Sequence, residues 1–462
     1  MRIPIWLTLI AALVVVIVVI IIGLAVVAPN QPLIPAAQFS TDTITPNADG
    51  SDDIAIFSYT LTKNARVSLT LEGADGQVFA FRQDEPRIPG DYRVQFSGVV
   101  DGFALDGEDF GDQQILQRLM PDGAYTWRLI ATTEAGETAE QSGTLNIVDG
   151  DAPLPLLTDF TVFPQIFTPN QDGIADRSQI NVFLTKEATL TAYLIDANGE
   201  PLYMSERFED ARPGEAGRHL FDYEGGVDLG ANPPPDGTYP LIVHAQDAVG
   251  QRVQRESELT IQTGGKPLAQ IIPQPVGVSV VWEVVPWDEA YASTRDQIGQ
   301  LAPLPSDLQA VDMTRLDVMQ GDVLVFKLTV ENYSDVPIRT TGPEPGAVYD
   351  WDQRAPALGW MEEAGAWRVG IECQTAAASY PWRWAVGTRD QLTAVEDPVS
   401  GNTYYYLMPG ETSVVWGGIR MNRVENLNPQ NCWAGLIHEY VAVSERNRNV
   451  GPREIFVIEA AN

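Results

Sequence analysis

The sequence predicts a mainly β protein, in which an N-terminal transmembrane helix precedes two repeated antiparallel β-sandwiches and a third β-sandwich-like domain. Three observations lead to this prediction. Residues 5–27 form an apolar run without a charged side chain. Residues 45–50, Thr-Pro-Asn-Ala-Asp-Gly, return as residues 168–173, Thr-Pro-Asn-Gln-Asp-Gly. Apolar and polar residues alternate in several segments, which is the pattern of half-buried strands.

These features divide the chain into five parts. In order, we predict a transmembrane signal-anchor helix over residues 1–28, a proline-rich spacer over 29–37, a sandwich over 38–150, its repeat over 151–264, and an aromatic-rich β-sandwich domain over 265–462.

The composition narrows the class of partner. The 462 residues carry a formal net charge of −33. Such an acidic surface repels phosphate backbones, so we expect no nucleic-acid partner, whereas it attracts divalent cations. Because 44% of the residues are hydrophobic, the chain can form packed cores and is not expected to be disordered.

The apolar run at the N-terminus has the length of a membrane anchor. Its 23 residues, at a rise of 1.5 Å each, span a hydrocarbon core of about 30 Å. A cleavable signal peptide is the alternative, but it has a shorter apolar region, and the candidate site after Ala28 is followed directly by Pro29. Arg2 is the only charged residue before the run. We therefore expect a single-pass protein of the cell membrane, with a cytoplasmic N-terminus and the bulk of the chain extracytoplasmic.

The first repeat reads as a series of short strands. Val67, Leu69 and Leu71 alternate with polar residues, and residues 73–76, Gly-Ala-Asp-Gly, predict a hairpin turn. Residues 121–125, Pro-Asp-Gly-Ala-Tyr, open a second alternating stretch. Only residues 113–120 suggest one or two helical turns.

The second repeat follows the same plan. Leu190, Ala192 and Leu194 occupy the places of the first alternating triplet, and residues 235–239, Pro-Asp-Gly-Thr-Tyr, correspond to residues 121–125. Six or seven short strands with turns every 8–12 residues are typical of an antiparallel sandwich.

These motifs resemble the Ig-like domain of the flagellar hook-assembly scaffold, a module found in bacterial envelope and secreted proteins. The resemblance covers residues 38–263. It rests on Thr-Pro-Asn-x-Asp-Gly, the Asp/Asn-Gly hairpin and Pro-Asp-Gly-x-Tyr. It departs from the pattern at residues 96–98 and 221–223, where a Trp-Asp/Asn-Gly is missing. The resemblance implies a structural or adhesive module without catalytic residues.

The third domain follows a hinge at residues 264–267, Gly-Gly-Lys-Pro. Residues 323–330 alternate as a strand, and 413–416 follow a Met-Pro-Gly-Glu-Thr turn. This part resembles Ig-like accessory domains of bacterial surface proteins. Within the loop excursion over 287–312, we predict a helix over residues 288–301.

The repeated turn is a candidate cation site. Each copy places oxygen-bearing side chains at positions i, i+2 and i+6, and its glycine lets the chain curl, as in calcium loops. A structural Asx-turn stiffened by its proline is the alternative. The candidate calcium ligands are Asn47, Asp49, Asp53, Asn170, Asp172 and Asp176.

The third domain also holds nine of the eleven tryptophans. Exposed rings of this kind stack on sugars or grip peptides, whereas the alternative is that they fill the core. The candidate binding face consists of Trp351, Trp360, Trp382 and Trp384. The two cysteines, Cys373 and Cys432, either form a disulfide or remain buried thiols.

No catalytic motif accompanies these features. The three histidines, His219, His244 and His438, lie far apart in the sequence and lack motif spacing. We therefore predict a non-catalytic envelope protein acting in structure, adhesion or assembly, with an envelope protein or a cell-wall glycan as partner. The alternatives are an accessory scaffold subunit of an envelope complex and an extracellular hydrolase with residues 265–462 as its catalytic domain.

Overall fold

The computed structural model of the protein describes residues 5–27, 31–207, 212–275, 277–306, 315–398, 400–443 and 445–460. It is built mainly from strands and falls into two compact units. The first comprises Met1–Thr161, Ile180–Phe221 and Pro240–Ser257; the second comprises Val162–Gln179, Asp222–Tyr239 and Glu258–Asn462.

The N-terminal segment contains one helix, α1, which covers Ile5–Val27. The predicted membrane segment lies partly outside the described residues, because residues 1–4 and 28 are not among them. Among the residues that the structure describes, none of the helices combines the length and the apolar character needed to cross a membrane.

The first repeat forms a β-sandwich. One sheet has the order β1-β3-β6 and the other β2-β10-β9-β4-β5, with β2 parallel to β10. The strands are β1 (Ala37–Phe39), β2 (Thr43–Ile44), β3 (Ala55–Leu61), β4 (Ala65–Gly73), β5 (Val78–Arg87), β6 (Gly90–Phe96), β7 (Val99–Asp101), β8 (Gln114–Leu119), β9 (Gly123–Thr132) and β10 (Thr138–Ile147).

The predicted alternation places the core of this sandwich correctly. Leu69, Trp127 and Leu145 are buried, and their polar neighbours face outward. The Trp127 indole lies edge-on to Phe57, with ring centroids 5.2 Å apart. It fits because Gly143 stands opposite it on β10, where a Cβ atom would lie 2.6 Å from the indole.

The predicted spacer is partly inside this core. Leu33 and Ile34 are 2% and 1% exposed and belong to the same hydrophobic cluster as Phe57. The Thr62 amide donates to the carbonyl of Leu33. Residues 33–36 therefore belong to the first sandwich. The prolines of this segment led to the prediction of a spacer, although its apolar side chains, Leu33 and Ile34, are part of the core.

The described residues of the second repeat supply nine strands. In the first unit, β19 pairs antiparallel with β8 of the first repeat, so the expectation of helical turns over 113–120 is wrong. The strands are β11 (Leu157–Phe163), β12 (Ile166–Phe167), β13 (Ser178–Leu184), β14 (Thr189–Ile195), β15 (Pro201–Tyr203), β16 (Glu206–Arg207), β17 (Gly217–Tyr223), β18 (Gly237–Gln246) and β19 (Arg252–Ile261).

These strands form two sheets. One has the order β11-β13-β17-β16, and the other has the order β15-β14-β18-β19-β8-β7, with β12 also pairing with β19. A 3₁₀ turn at Val227–Leu229 follows β17.

The third domain is a larger sandwich in the second unit. One sheet has the order β20-β23-β30-β25, and β21 also pairs with β23. The other sheet has the order β22-β33-β31-β26-β24-β29-β28, in which β27 also pairs with β26 and β32 with β31. The strands are β20 (Ala269–Ile272), β21 (Val281–Val285), β22 (Leu316–Met319), β23 (Val323–Asn332), β24 (Ile338–Thr340), β25 (Val348–Asp350), β26 (Trp367–Cys373), β27 (Trp382–Ala385), β28 (Thr393–Glu396), β29 (Thr403–Leu407), β30 (Thr412–Arg420), β31 (Gln430–His438), β32 (Ala442–Val443) and β33 (Val450–Ile458).

Strand β23 is buried on both faces. Leu324 and Phe326 point into the main core, whereas Val323 and Val325 pack in a second cluster with Ala302. The segment that covers this second face includes the residues for which we predicted a helix, 288–301. Residues 288–301 are all described, and the regular structure among them is a 3₁₀ turn at Glu289–Tyr291, so that prediction is wrong.

The contact between Trp127 and Gly143 can be tested by substitution. Gly143→Ala would drive a methyl group into the indole, and we expect the unfolding free energy of the first sandwich to fall by about 1–3 kcal/mol. Gly123→Ala is the matched control, because its Cβ atom would meet the nearest ring atom at an ordinary 3.7 Å. Urea unfolding, with hydrogen exchange in β9 and β10 as the local readout, measures both. Equal effects of the two substitutions would contradict this account.

Candidate functional site

The first copy of the repeated turn is closed by the carboxylate of Asp53. One of its oxygens accepts the amides of Asn47 and Ala48 at 3.0 and 2.7 Å, and the other accepts the amide of Gly50 at 2.8 Å. The Asn47 side chain accepts the amide of Asp49. The turn is therefore stabilised by side-chain oxygens that bind its own backbone.

The second copy repeats this arrangement. Asp176 accepts the amides of Asn170 at 3.3 Å, Asp172 at 3.1 Å and Gly173 at 2.6 Å. Thr168 donates its hydroxyl to the carbonyl of Ile174, as Thr45 does to Ser51 in the first copy. The spacing that suggested a calcium loop thus corresponds to an internal hydrogen-bond network.

This geometry is that of the Asx-turn alternative. In both copies the carboxylate at position i+6, Asp53 or Asp176, accepts hydrogen bonds from backbone N–H groups. To bind a cation, this carboxylate would have to break those hydrogen bonds. Within the described part of the chain, no group of three or more His, Cys, Asp or Glu side chains is arranged to hold a metal ion. Calcium binding by these six residues stays a prediction.

The second repeated motif, Pro-Asp-Gly-x-Tyr, also acts through hydrogen bonds. The Tyr125 hydroxyl donates to the carbonyl of Pro121 at 2.6 Å, and Tyr239 does the same with Pro235. The aspartate of each motif accepts hydrogen bonds from backbone amides at the end of its own module. Asp122 accepts the amide of Gly150, and Asp236 accepts the amides of Thr263 and Gly264.

The two copies of the first motif differ in their surroundings. In the first copy Asp49 is exposed, whereas its counterpart Asp172 is buried. In the second unit, Arg339 of the third sandwich donates to the Asp172 carbonyl at 2.6 Å. The Tyr406 hydroxyl donates to the Asp172 carboxylate at 3.0 Å, and the His438 ring donates to the carbonyl of Gln171 at 2.7 Å.

Two glycines allow this close approach. A Cβ atom on Gly173 would lie 2.0 Å from the carbonyl oxygen of Ala364, and one on Gly365 would lie 2.2 Å from the backbone of Asp172. Gly50, the counterpart of Gly173, has no neighbouring atom within 4 Å of that position. The motif therefore serves as a free turn in the first repeat and as a buried contact in the second.

Burial changes the titration of this contact. Desolvation, with the nearby Asp172 carboxylate, raises the pKa of Asp176 to about 7. Desolvation also raises the pKa of Asp172 and lowers the pKa of His438 to about 4. His438 is consequently neutral at neutral pH, and it stacks on Trp367 with ring centroids 4.4 Å apart.

The other two histidines hold structural positions. His219 is buried, with Nδ1 2.5 Å from the Glu206 carboxylate and Nε2 2.8 Å from the Glu215 carbonyl. His244 is half-buried on β18, and burial lowers its pKa.

The expectation of an exposed tryptophan face is wrong for three of its four members. Trp351, Trp382 and Trp384 are 6%, 1% and 0% exposed and lie in the core of the third sandwich. Trp382 and Trp384 are buried because the two sheets enclose their side of β27, and Trp351, directly after β25, packs against Trp382 with ring centroids 4.8 Å apart. Trp360 is only partly buried and lines a cleft.

This cleft, with a volume of about 430 Å³, lies in the third sandwich where β24 ends at Thr340. Besides Trp360, Tyr404 and Tyr405 line it and are half-exposed. Arg339 lies over the Tyr404 ring and pairs with Glu363 at 2.9 Å. In the same way, Arg389 lies over the Tyr405 ring and pairs with Glu344 at 3.0 Å.

Behind the cleft lies a buried arginine that sequence reasoning missed. Arg368 is 0% exposed and donates to the carbonyls of Thr341 and Met361, both at 2.6 Å. Its partner Glu439 is also buried and forms a second ion pair, with Arg383, at 2.7 Å. The only sequence signal was that Arg368 directly follows Trp367 at a position that begins an apolar strand.

The cysteines form a disulfide. Cys373 on β26 and Cys432 on β31 stand opposite each other in the register, with their Cα atoms 4.0 Å apart. The bond closes a sequence separation of 59 residues, which corresponds to about 4 kcal/mol of chain-entropy stabilisation.

In the first unit, a buried polar contact also joins the first two repeats, through Gln251 of the second and the amide of Leu119 of the first. Gln251 is 0% exposed, donates to the carbonyls of Asp151 and Pro153 and accepts the amide of Leu119. Lys186 pairs with both Asp151 and Asp247 at 2.7 Å. The Leu119–Gln251 bond and the β8–β19 pairing therefore connect the repeats, whereas the bonds of Lys186 and those to Asp151 and Pro153 lie within the second repeat.

Comparison with known proteins adds no assignment. No family model matches the chain, and no curated protein matches it. A Ca²⁺-stabilized adhesin that helps an Antarctic bacterium bind ice is 12% identical over 93% of this chain and 74% of that chain, with a TM-score of 0.23. The native α-2-macroglobulin of E. coli is 10% identical over 94% of this chain but only 23% of that chain, with a TM-score of 0.17.

A glucan-utilisation protein of Bacteroides ovatus, SGBP-B, is 11% identical over 94% of this chain and 70% of that chain, with a TM-score of 0.15. At these identities and TM-scores the superpositions carry no argument about the fold or the function of this chain. The resemblance to the hook-assembly scaffold stays a prediction from the motifs.

The buried role of the second turn predicts unequal effects of one substitution in its two copies. Gly50 and Gly173 both have φ near +85°, at +87° and +83°, so alanine introduces about 1–2 kcal/mol of backbone strain at either position. Only Gly173→Ala meets the Ala364 carbonyl. We therefore expect it to lower the unfolding free energy by about 3 kcal/mol or more and to expose residues 361–366 to hydrogen exchange. Equal losses for Gly50→Ala and Gly173→Ala would contradict the buried contact.

The raised pKa of Asp176 predicts a pH dependence. Between about pH 4 and 7 the folded chain holds a proton that the unfolded chain, with a pKa near 3.9, has released, so the contribution of this group to stability falls as the pH rises. Asp176→Asn does not titrate. The unfolding free energy of the wild type minus that of Asp176→Asn should fall by about 1 kcal/mol per pH unit over this window and level off above pH 8. A difference that stays constant from pH 4 to 8 would refute the shift.

Proposed function

We propose that the chain is a non-catalytic, membrane-anchored protein of the cell envelope, whose extracytoplasmic sandwich modules act in structure, adhesion or assembly. The observation that carries this proposal is how successive modules are joined. Buried Gln251 and the β8–β19 pairing join the first two repeats, and buried Arg339 and His438 hold the second turn against the third sandwich. Within each unit, buried contacts of this kind restrict the movement of the modules that they join, as an envelope component that carries a load requires, whereas open linkers would let those modules move independently.

The oxidised cysteines support an extracytoplasmic location. Disulfides persist in oxidising compartments and are rare in the cytosol. Cys373 and Cys432 are bonded in the core of the third sandwich. The uncharged run of residues 5–27 supports anchoring, because its length suits a bilayer core. In this arrangement the third sandwich is the contact surface, and an envelope protein or a cell-wall glycan is its partner.

Calcium is part of the proposal only as a ligand of the exposed first turn, around Asn47, Asp49 and Asp53. The exposed Asp49 leaves one carboxylate oxygen of this turn outside the internal hydrogen bonds of the motif. The second turn is a poorer candidate, because Asp172 already accepts the Ile174 amide and the Tyr406 hydroxyl.

A localisation experiment tests the anchor. The full chain should remain in the membrane pellet after carbonate extraction, and protease added outside spheroplasts should degrade it. An aspartate at the centre of the apolar run costs about 2.5–3.5 kcal/mol of insertion free energy, so the double variant Val16→Asp, Ile17→Asp should become extractable. Val16→Leu is the control. A reduced Cys373 in a protease-protected, cytosolic chain would refute the proposed location.

Capture of the full chain from native membranes in detergent tests the assembly role. A partner held in stable stoichiometric amount would support the scaffold form of the function. Hydrolysis of an envelope polymer by the purified chain, lost on substitution of a residue in its third sandwich, would refute the non-catalytic assignment.

A further inference from the structure

We propose that the cleft at the end of β24 in the third sandwich binds a neutral oligosaccharide. The inference rests on the adhesive form of the proposed function and names the ligand class of one defined site. The residues that carry it are Trp360, Tyr404, Tyr405, Arg389, Glu344 and Asn402, all of which line the cleft.

The cleft exists because a strand ends inside a sheet. Thr340 is the last residue of β24; it pairs with Tyr405 on one side and with Trp367 on the other. Beyond it the chain leaves the sheet, while β29 extends further to Thr403. The resulting gap of about 430 Å³ falls within the roughly 300–1,000 Å³ typical of small-ligand pockets.

The walls of the gap combine the two chemistries that a sugar ring needs. The half-exposed ring of Trp360 offers a surface for the C–H face of a sugar. Tyr404 and Tyr405 each carry an arginine over one ring face and remain half-exposed in the cleft wall. Hydroxyl groups both donate and accept, and the lining of the cleft includes a side-chain amide, Asn402, and a carboxylate, Glu344. Glu344 pairs with Arg389, and Asn402 donates to the Tyr404 hydroxyl; each keeps further hydrogen-bonding capacity that a purely apolar ligand would not use.

The charges favour a neutral ligand. Each cleft arginine already has a carboxylate partner, Arg339 with Glu363 and Arg389 with Glu344. These two arginines therefore give the cleft no large uncompensated positive charge that could attract an acidic polymer. In addition, the chain as a whole carries a net charge of −33, which repels polyanions at long range.

The walls are also held in place from behind. Arg368 donates to the carbonyls of Thr341 and Met361, which lie in the two loops that supply Glu344 and Trp360 to the cleft. Burying an arginine costs more free energy than filling the same space with apolar groups, so its presence is weak evidence for a gain in stability. Its geometry makes it a positioning residue for these loops. Gly342, at φ +153°, lets the chain pass within contact distance of Ala385.

The test is calorimetric titration of the full chain with neutral hexasaccharides of β-1,3-glucan, β-1,4-glucan, chitin and mannan. The detergent must be non-glycosidic, because a maltoside headgroup would compete. We expect saturable binding of at least one neutral series. Trp360→Ala should weaken it about tenfold or more, as expected for the loss of a stacking ring, and Trp360→Phe should weaken it about threefold or less.

Trp287→Ala is the matched control, because Trp287 is also half-buried in the third domain but packs under Arg420, away from the residues that line the cleft. It should leave the affinity unchanged within about twofold, and melting curves should show that all variants are folded. Binding of acidic oligosaccharides or of peptides only, or full affinity in folded Trp360→Ala, would overturn the inference.

The two proposals fail in different ways. A chain that is exposed outside the membrane but binds no oligosaccharide would overturn the ligand assignment and leave the envelope function standing. A chain that binds neutral oligosaccharide through Trp360 but resides in the cytosol would overturn the envelope function and leave the binding site standing.

Discussion

A turn with several free amide groups can be buried only if each amide finds an acceptor, and the second repeat depends on this condition. Asp176 meets it by accepting three amides within the turn. Asp53 also accepts three amides in the first repeat, those of Asn47, Ala48 and Gly50, where the turn is exposed. Because the motif satisfies its own donors, one copy can remain at the surface while the other is covered by a neighbouring domain. The carbonyls left over, those of Gln171 and Asp172, are then free to receive His438 and Arg339.

In the third sandwich, backbone carbonyls likewise accept hydrogen bonds from buried side chains. Two of its buried arginines, Arg339 and Arg368, donate chiefly to carbonyls in loops and turns. A guanidinium in such a position specifies geometry, since a carbonyl displaced by an ångström leaves a buried donor unpaired. Apolar packing would tolerate such a shift. The loops beside the cleft are therefore ordered by polar contacts, although the core behind them is aromatic.

Sequence reasoning succeeded where local spacing decides the outcome. Period two located the buried faces around Leu69 and Trp127, and the repeated motifs located turns whose hydrogen bonds lie within a few residues. It failed where distant strands decide. Residues 113–120 became a strand through pairing with β19, and residues 288–301 became an irregular cover for β23. Trp382 and Trp384 are two residues apart and share one face of β27, but whether that face is buried depends on the other sheet.

By itself, the sequence determined the modular plan of this protein: an apolar N-terminal segment, one module used twice, a third domain of different composition, and turns closed by their own aspartates. These features follow from short-range chemistry, which any copy of the motif carries with it. Only the tertiary structure decided that the second turn is buried, that three of the four candidate tryptophans are core residues, and that a cleft opens where β24 ends. The reason is physical: burial and cavities depend on which surfaces meet, and residues far apart in the chain, such as Asp172 and Arg339, supply the two sides.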